Sequence, residues 1–571
     1  MPRLLLFLLL VSAGLSAQDF LRTQGSQIVD GSGQPYFLHG IGLGGWMVQE
    51  GYMMKTSGFA GAQHMLRERI TDLIGSEATQ EFYDAWLANH VREADIQRMH
   101  EAGFNSVRLP MHYNLYTLPV EEEPVAGRQT FLDTGIALTD SLIAWCKARD
   151  MYVVLDLHAA PGGQGDDVNI SDRDVNKPSL WESQANRDKT VALWKHLATR
   201  YADEPTVAGY DLINETNYVL GEDNAPLGAL MREITDSIRS VDQRHIIFVE
   251  GNGFANNFTG LTPPWDDNMV YSPHKYWNYN TEEALGFALA LRDTTNTPLY
   301  LGETGENSNV WFRNAVMLFD EVDMGWAWWP WKKIESITGP VSVTLNPGYQ
   351  KLLDYWSGEG PRPSAEDATA ALMQLTEDLK LENARYQRDV TDAMFRQTRT
   401  TETLPWIEHR LPGTVYAEDF DLGPLRYAYM DRDTGNYWVS TGERSRWNSG
   451  GAYRNDAVDI GLSDDTELTQ GYYVGWTEPG EWLQYTVDVA EAGTYDATLR
   501  VASDTTGGRF RFALDEAQLR FIVDVPNTGG DQEWITLTVR GLRLPAGEQR
   551  LRLYVDGGGF NVGGMRFARA Q

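Results

Sequence analysis

The spacing of apolar and polar positions divides the chain into regions of different period. Apolar runs at 37–43, 106–111, 152–158, 207–213, 245–250, 269–274, 299–303 and 325–331 read as strands, and amphipathic stretches between most of them read as helices. Eight such units predict an α/β domain, a parallel sheet closed into a (β/α)8 TIM barrel. One intervening helix, Ile136 to Arg149, carries Leu142, Ile143 and Cys146 on one face, so Cys146 reads as a small buried apolar residue. Residues 364–400 read as helical, opened at Pro363–Ser364, with Leu372, Leu375, Leu379, Tyr386, Val390 and Met394 as an apolar stripe that packs on the barrel. From Val415 the period becomes that of short strands with Gly-rich turns, as in Trp482–Val489, and predicts an all-β sandwich of jelly-roll type. The expected organisation is a leader at 1–17, a barrel at 18–362, a helical connector at 363–413 and a sandwich at 414–571.

Charge and composition narrow the ligand. The 571 residues hold 48 Lys and Arg against 80 Asp and Glu, a formal net charge of −32. That excludes nucleic acid as the natural partner, because phosphate binding needs positive patches. Nineteen Trp and 26 Tyr favour neutral, flat, polar molecules. A single Cys excludes an intrachain disulfide framework and a Cys-based zinc site. In residues 1–17, Arg3 precedes an apolar run from Leu4 to Val11 and small residues up to Ala17, the pattern of a cleaved secretory signal. The run is too short to span a bilayer and no later stretch is apolar enough, so the expectation is a secreted, periplasmic or cell-surface protein without a membrane span.

The residues that carry chemistry stand where apolar strands turn polar, at the C-terminal ends where barrels keep their active sites. The runs are Val107-Arg108-Leu109-Pro110, Asp156-Leu157-His158, Leu212-Ile213-Asn214-Glu215, Ser272-Pro273-His274-Lys275-Tyr276, Leu301-Gly302-Glu303 and Trp326-Ala327-Trp328-Trp329. Glu215 and Glu303 come from strands four and seven, which face each other across a barrel. Two facing carboxylates are the equipment of glycoside hydrolysis: one protonated group assists the leaving oxygen, and one ionised group attacks the anomeric carbon. Arg108 and Tyr276 are placed to keep Glu303 ionised, and its charge keeps Glu215 protonated as the general acid. Asn214 is expected to hydrogen-bond a sugar hydroxyl and Trp329 to present a flat face, with some of Trp326, Trp328 and Trp331 in the core. No cofactor is required.

Arg108, His158, Asn214, Glu215, His274, Tyr276, Glu303 and Trp329, in that order, resemble the active-site pattern of glycoside hydrolase family 5 over about Ile28 to Trp356. The resemblance implies acid/base Glu215, nucleophile Glu303, retention of configuration, and His158 and His274 as members of the sugar subsite. Gly40-Ile-Gly-Leu-Gly-Gly-Trp46 and His158-Ala-Ala-Pro-Gly-Gly-Gln164 are similar to motifs of exo-β-1,3-glucanases in that family. Thr216 and Thr304 depart from the usual residues after the two Glu, which touches neither carboxylate but leaves β-1,6- or mixed-linkage glucanase and glucosyl-lipid hydrolase as alternatives; a transglycosylase using the same carboxylates and a non-catalytic glycan-binding protein, against which the intact Glu pair counts, are separate alternatives. Residues 415–571 resemble carbohydrate-binding module family 6 through Tyr453-Arg-Asn-Asp-Ala-Val-Asp-Ile460, Val474-Gly-Trp-Thr-Glu-Pro-Gly-Glu-Trp482 and Gly559-Phe-Asn561. That resemblance implies a sugar held by Tyr453 and an aromatic partner, with Asn561 at the edge. The partner Trp is displaced, because Thr528-Gly529-Gly530 leads into Asp531 and Trp534 follows. It also implies a structural calcium near Glu418. The expected partner is a β-glucan polysaccharide or oligosaccharide.

Overall fold

In the computed structural model, residues 18–570 are described except 436, 439–442, 445–446, 505–506 and 515–516. The expected leader at 1–17 lies outside the described residues. Eight strands build the barrel: β1 (His39–Gly42), β2 (Ser106–His112), β3 (Tyr152–Ala159), β4 (Val207–Asp211), β5 (Ile246–Val249), β6 (Met269–Tyr271), β7 (Tyr300–Gly305) and β8 (Gly325–Trp329). All are parallel, and β1 pairs with both β2 and β8. Pro273 has no N–H to give the ladder, so the sixth stave is broken there and resumes at His274–Lys275, which pairs with β7. A bridge between Tyr271 and Leu299 completes the ring.

Alternation along β3 stacks the interior in three levels. Val154 joins the apolar floor, Asp156 lies in a buried polar tier above it, and His158 reaches the cavity. The floor holds Phe248, Val270, Tyr300 and Ala327, with Leu21 and Ile28 of the N-terminal hairpin in the same cluster. On β8 the same alternation sorts the tryptophans. Trp326 and Trp328 face the helices, beside Phe312, Phe319 and Phe395, while Trp329 faces the mouth. Cys146, on the helix Asp133–Lys147, is fully buried and its thiol pKa is pushed up by burial.

The connector is two helices rather than one. Ala365–Asp378 begins at Ser364, whose hydroxyl accepts the Asp367 N–H, and a second helix spans Arg388–Phe395. Between them Arg385–Tyr386 pairs with the strand Val341–Val343, and those ladder bonds replace the helix there. The apolar stripe still packs on the barrel. Leu372, Leu375 and Leu379 join Leu66, Ile70, Phe82 and Trp86 in one cluster, and Val390 and Met394 enter the main barrel core.

The C-terminal sandwich has two sheets around its own core. Trp482–Val489 is a central strand of one; Asn561–Arg569, flanked by Tyr472–Val474 and Gly493–Ser503, is central to the other. The sandwich is docked on the loop that follows β7. Asn455 Nδ2 donates to the Asn307 carbonyl at 2.7 Å, Ser308 Oγ to the Thr434 carbonyl at 3.0 Å, and connector residue Asp389 accepts from both Asn309 Nδ2 (2.9 Å) and the Asn455 N–H (2.8 Å).

Truncation after Arg362 will bare the barrel surface under the connector. Each fully buried Leu lost there removes roughly 1.5–3 kcal/mol of burial, so the truncated barrel is expected to aggregate or to melt well below the full chain. Equal solubility and Tm in a thermal melt would contradict the packing role.

Candidate active site

Glu215 and Glu303 meet at the barrel mouth, with oxygens within 4.8 Å of one another. Each oxygen of Glu303 has a donor: Arg108 Nη1 at 2.6 Å and the Tyr276 hydroxyl at 2.9 Å. Glu215 Oε1 is 2.6 Å from His274 Nδ1, which is also 3.7 Å from Glu303. Burial raises the Glu215 carboxyl above the ordinary range, and the charges of Glu303 and Glu250 add to the rise, outweighing the pull of His274. A carboxyl shifted towards its protonated form beside a doubly hydrogen-bonded carboxylate is an arrangement that suits an acid paired with a nucleophile.

A buried tier beneath this pair positions it. Arg108 is wholly shielded from solvent and also reaches Asp211 (3.1 Å), Glu250 (2.7 Å), Asp156 (3.2 Å) and the Asn214 side-chain oxygen (2.9 Å). Burial alone would weaken the guanidinium, but the surrounding carboxylates more than compensate and hold its pKa well above normal. Asp156, Asp211 and Glu250 also gather like metal ligands, but the guanidinium occupies the space they share. Glu250 links three parts of the site. Its Oε2 accepts the Glu215 backbone N–H at 2.7 Å, its Oε1 accepts Arg108, and the same oxygen lies 3.3 Å from His274 Nε2. Burial would raise Glu250, yet His274 and Arg108 outweigh it and hold it down at about 2. Glu215 has φ +37°, a left-handed conformation uncommon for a non-glycine residue, and Glu250 fastens that strained backbone.

A cavity of about 630 Å³ opens above Glu215 and Glu303. His158, His274, Tyr276 and Trp329 line it with them, while Arg108 and Asn214 are fully buried. Asn214 has its oxygen engaged by Arg108, leaving Nδ2, 3.4 Å from His158 Nε2, as its remaining donor group. His274 is bound up with Glu215 and Glu250. His158 is held by Asp156 at 2.8 Å and stacks parallel to Trp329 at 5.2 Å. The glycines at 42 and 44 make room for that indole, since a Cβ at either would lie 2.5–2.6 Å from the ring. On the wall, Glu50 is 3.5 Å from His158 Nε2 and is pushed up by burial to about 7. Phe254 and Trp277, 44 % and 62 % exposed, stand at the rim.

Sequence reasoning passed over Glu50, Asp211 and Glu250. Glu250 carried the signal used elsewhere, a polar residue closing the apolar run of strand five. Asp211 lies inside its run, and nothing local distinguishes it.

Residues 67–334 match the model of cellulase, glycosyl hydrolase family 5, and residues 454–569 match carbohydrate binding module, family 6. The barrel is a family 5 glycoside hydrolase domain. Among curated relatives, a beta-xylosidase of Phanerodontia chrysosporium is 32 % identical over 45 % of this chain and 52 % of its own length. Endoglucanase C of Acetivibrio thermocellus is 25 % identical over 52 % and 92 %. A probable glucan 1,3-beta-glucosidase A of Aspergillus niger is 29 % identical over 48 % and 64 %. The chain thus spans about half the length of the beta-xylosidase.

In the family 6 module the three expected ligand residues do not converge. Tyr453 packs on Tyr472 with ring centres 4.8 Å apart, whereas Trp534 meets Tyr473 edge-on at 5.6 Å. Tyr472 and Tyr473 are neighbours in one strand and point to opposite faces, so Tyr453 and Trp534 do not sandwich a common ligand. Asn561 lies on the Trp534 side, its Nδ2 donating to the Asp531 carbonyl at 2.8 Å. Glu418 is completely buried and neither carboxylate oxygen has a hydrogen-bond partner.

Glu250→Gln in the family 5 domain is expected to lower kcat on the order of ten- to hundredfold through misplacement of Glu215, with little change in KM because Glu250 does not line the cavity. Removing its negative charge also lowers the Glu215 pKa, so the basic limb of the pH–rate profile moves to lower pH. Glu250→Asp should recover part of the activity. An unmoved limb in Glu250→Gln would mean a purely structural role.

Proposed function

We propose that the chain is a secreted, retaining β-glycoside hydrolase acting on a β-glucan, with β-1,3-linked glucan as the leading substrate. The approach of the Glu215 and Glu303 oxygens to within 4.8 Å carries the reading. Retaining enzymes hold their carboxyl groups about 5–5.5 Å apart, and inverting enzymes leave a wider gap for water. Glu303 attacks the anomeric carbon, and the Glu215 proton goes to the departing glycosidic oxygen. The Glu303 charge vanishes in the glycosyl-enzyme, so the Glu215 pKa falls. Glu215, now ionised, takes a proton from the water that attacks the same carbon, and Glu303 is released. Phe254 and Trp277 offer apolar faces to the departing sugar. The similarity to a probable glucan 1,3-beta-glucosidase A supports the linkage, the leader pattern supports export, and the family 6 match supports a polysaccharide.

Glu303→Ala is expected to fold and to lose on the order of 10⁴-fold or more in turnover. Glu215→Gln should be severely impaired on glucans yet still form the glycosyl-enzyme from substrates with very good leaving groups. The wild-type rate on glucans falls as pH rises through the Glu215 pKa, because the acid must keep its proton. That basic limb lies above the ordinary Glu pKa of about 4.3 and is absent in Glu215→Gln. Product chromatography on β-1,3-, β-1,6-, β-1,4- and mixed-linkage glucans and a glucosyl lipid, with NMR of the first-formed anomer, fixes linkage and stereochemistry. A first-formed α product from a β-glucan would overturn retention. Glycosylated acceptors in place of free sugar would indicate transglycosylation, and no product from any glucan would favour a glycan-binding protein.

For the module we propose calcium at Glu418. A buried carboxylate with both oxygens unpartnered suits a cation, and burial pushes its pKa up to about 8 in the absence of one. Among the described residues no cluster of three acidic or His groups includes Glu418, so main-chain carbonyls would supply the other ligands. Chelation is expected to lower the Tm and added Ca²⁺ to restore it. Glu418→Gln should abolish the response, and a Tm indifferent to both treatments would exclude the site.

A further inference from the structure

The loop that follows β7 meets the cavity at one end and the sandwich at the other. Glu306 lines the cavity together with Tyr52, Glu303 and Trp329. Its Oε1 accepts from Lys333 Nζ at 2.6 Å, and that ammonium lies 4.4 Å from the centre of the Tyr52 ring. The Tyr52 hydroxyl in turn accepts the Trp329 indole N–H at 2.8 Å. The backbone that aims Glu306 is strained. Gly305 has φ +138°, and a Cβ there would lie 2.6 Å from the Trp329 carbonyl oxygen; Glu306 itself has φ +50°. Such conformations persist only where the surroundings impose them.

Those surroundings come from the sandwich. Asn307, Ser308 and Asn309 are all buried, and each bonds to it. Asn455 Nδ2 donates to the Asn307 carbonyl (2.7 Å) and to Asn309 Oδ1 (3.0 Å), and the Asn455 carbonyl accepts the Asn309 N–H (3.0 Å). That N–H opens the helix Asn309–Glu321, where no partner within the helix is available to it. The Trp447 indole donates to Asn455 Oδ1 at 3.0 Å and so fixes which way the amide faces. Val310, the next residue, packs against the apolar core of the sandwich.

We propose that the sandwich is a built-in activator of the barrel: Asn455 is a positioning residue that, through Asn307 and Asn309, holds Glu306 in place on the cavity wall. Without the Asn455 side chain the buried Asn307 carbonyl loses its donor, and the strained loop relaxes towards water. The effect does not depend on glycan binding by the module, so it shows on a small soluble substrate that occupies only the barrel. That the cavity takes a sugar rests on the function proposed above.

The test compares the full-length parent with Asn455→Ala, Glu306→Gln and the double variant. Each is measured for hydrolysis of a soluble aryl β-glucoside and for hydrogen–deuterium exchange of the amides at 303–309. Asn455→Ala is expected to raise KM about three- to tenfold with a smaller change in kcat, and to speed exchange over 305–309. A chain that is merely less stable loses active molecules, which lowers the apparent kcat and leaves KM alone. Because Asn455 acts through Glu306, its effect on KM should shrink to less than about twofold in the Glu306→Gln background. If Asn455→Ala does not accumulate as folded protein, Gly435→Ala takes its place. The added Cβ would lie 2.8 Å from Ser308 Oγ at a φ of +74°, and it disturbs the same contact from the module side. An unchanged KM, or KM effects that simply multiply in the double variant, overturns the positioning role. A parent chain that hydrolyses no aryl β-glucoside overturns the proposed function instead. The exchange rates then decide the role of Asn455, which falls if the variant exchanges like the parent.

Discussion

A guanidinium buried among four carboxylates sets the geometry of this active site. Arg108 has no contact with solvent, and an unpaired charge at that depth would be costly. Its ion pairs run in one direction to Glu303 and in the others to Asp156, Asp211 and Glu250. Removing one member of such a cluster leaves an uncompensated charge, typically a loss of 3–5 kcal/mol or about that. The proposed nucleophile is therefore fixed by a network whose other members do not line the cavity. The same network keeps the barrel interior polar at the height where an all-apolar core would otherwise continue.

The proposed acid/base, Glu215, is fixed by a second route that meets the first at Glu250. One of its oxygens holds the Glu215 main chain in a left-handed conformation, and the other faces both Arg108 and His274. His274 in turn bonds the Glu215 carboxyl. A shift in either catalytic residue is felt by the other through this one buried carboxylate. Burial and the Glu303 charge both raise the Glu215 carboxyl, so the two residues are coupled by electrostatics as well as through His274.

The parts outside the barrel converge on the loop after β7, the strand that bears Glu303. Connector residue Asp389, barrel residue Asn309 and module residue Asn455 bond to one another in a dry junction. Sandwich and connector thereby hydrogen-bond the segment that follows the strand of Glu303.

Much of this was legible in order along the chain. Strand positions followed from apolar runs, and the catalytic carboxyls from the polar residue that ends each run, because a barrel brings equivalent strand ends to one mouth. The connector's apolar stripe announced burial, but not that Arg385 and Tyr386 would join a strand, since that depended on a partner at Val341–Val343 far away in sequence. Glu250 and Asp211 became meaningful only when folding placed them against Arg108 and the Glu215 backbone. In the module, sequence motifs supplied the residue types, while the two-residue alternation of a single strand put Tyr453 and Trp534 on opposite faces. The sequence by itself determined which side chains have catalytic chemistry and which elements carry them, because periodicity and residue type are local. The tertiary structure decided which of them meet, which are protonated and which are sealed from the ligand, because distance, burial and neighbouring charge exist only once remote segments are packed together.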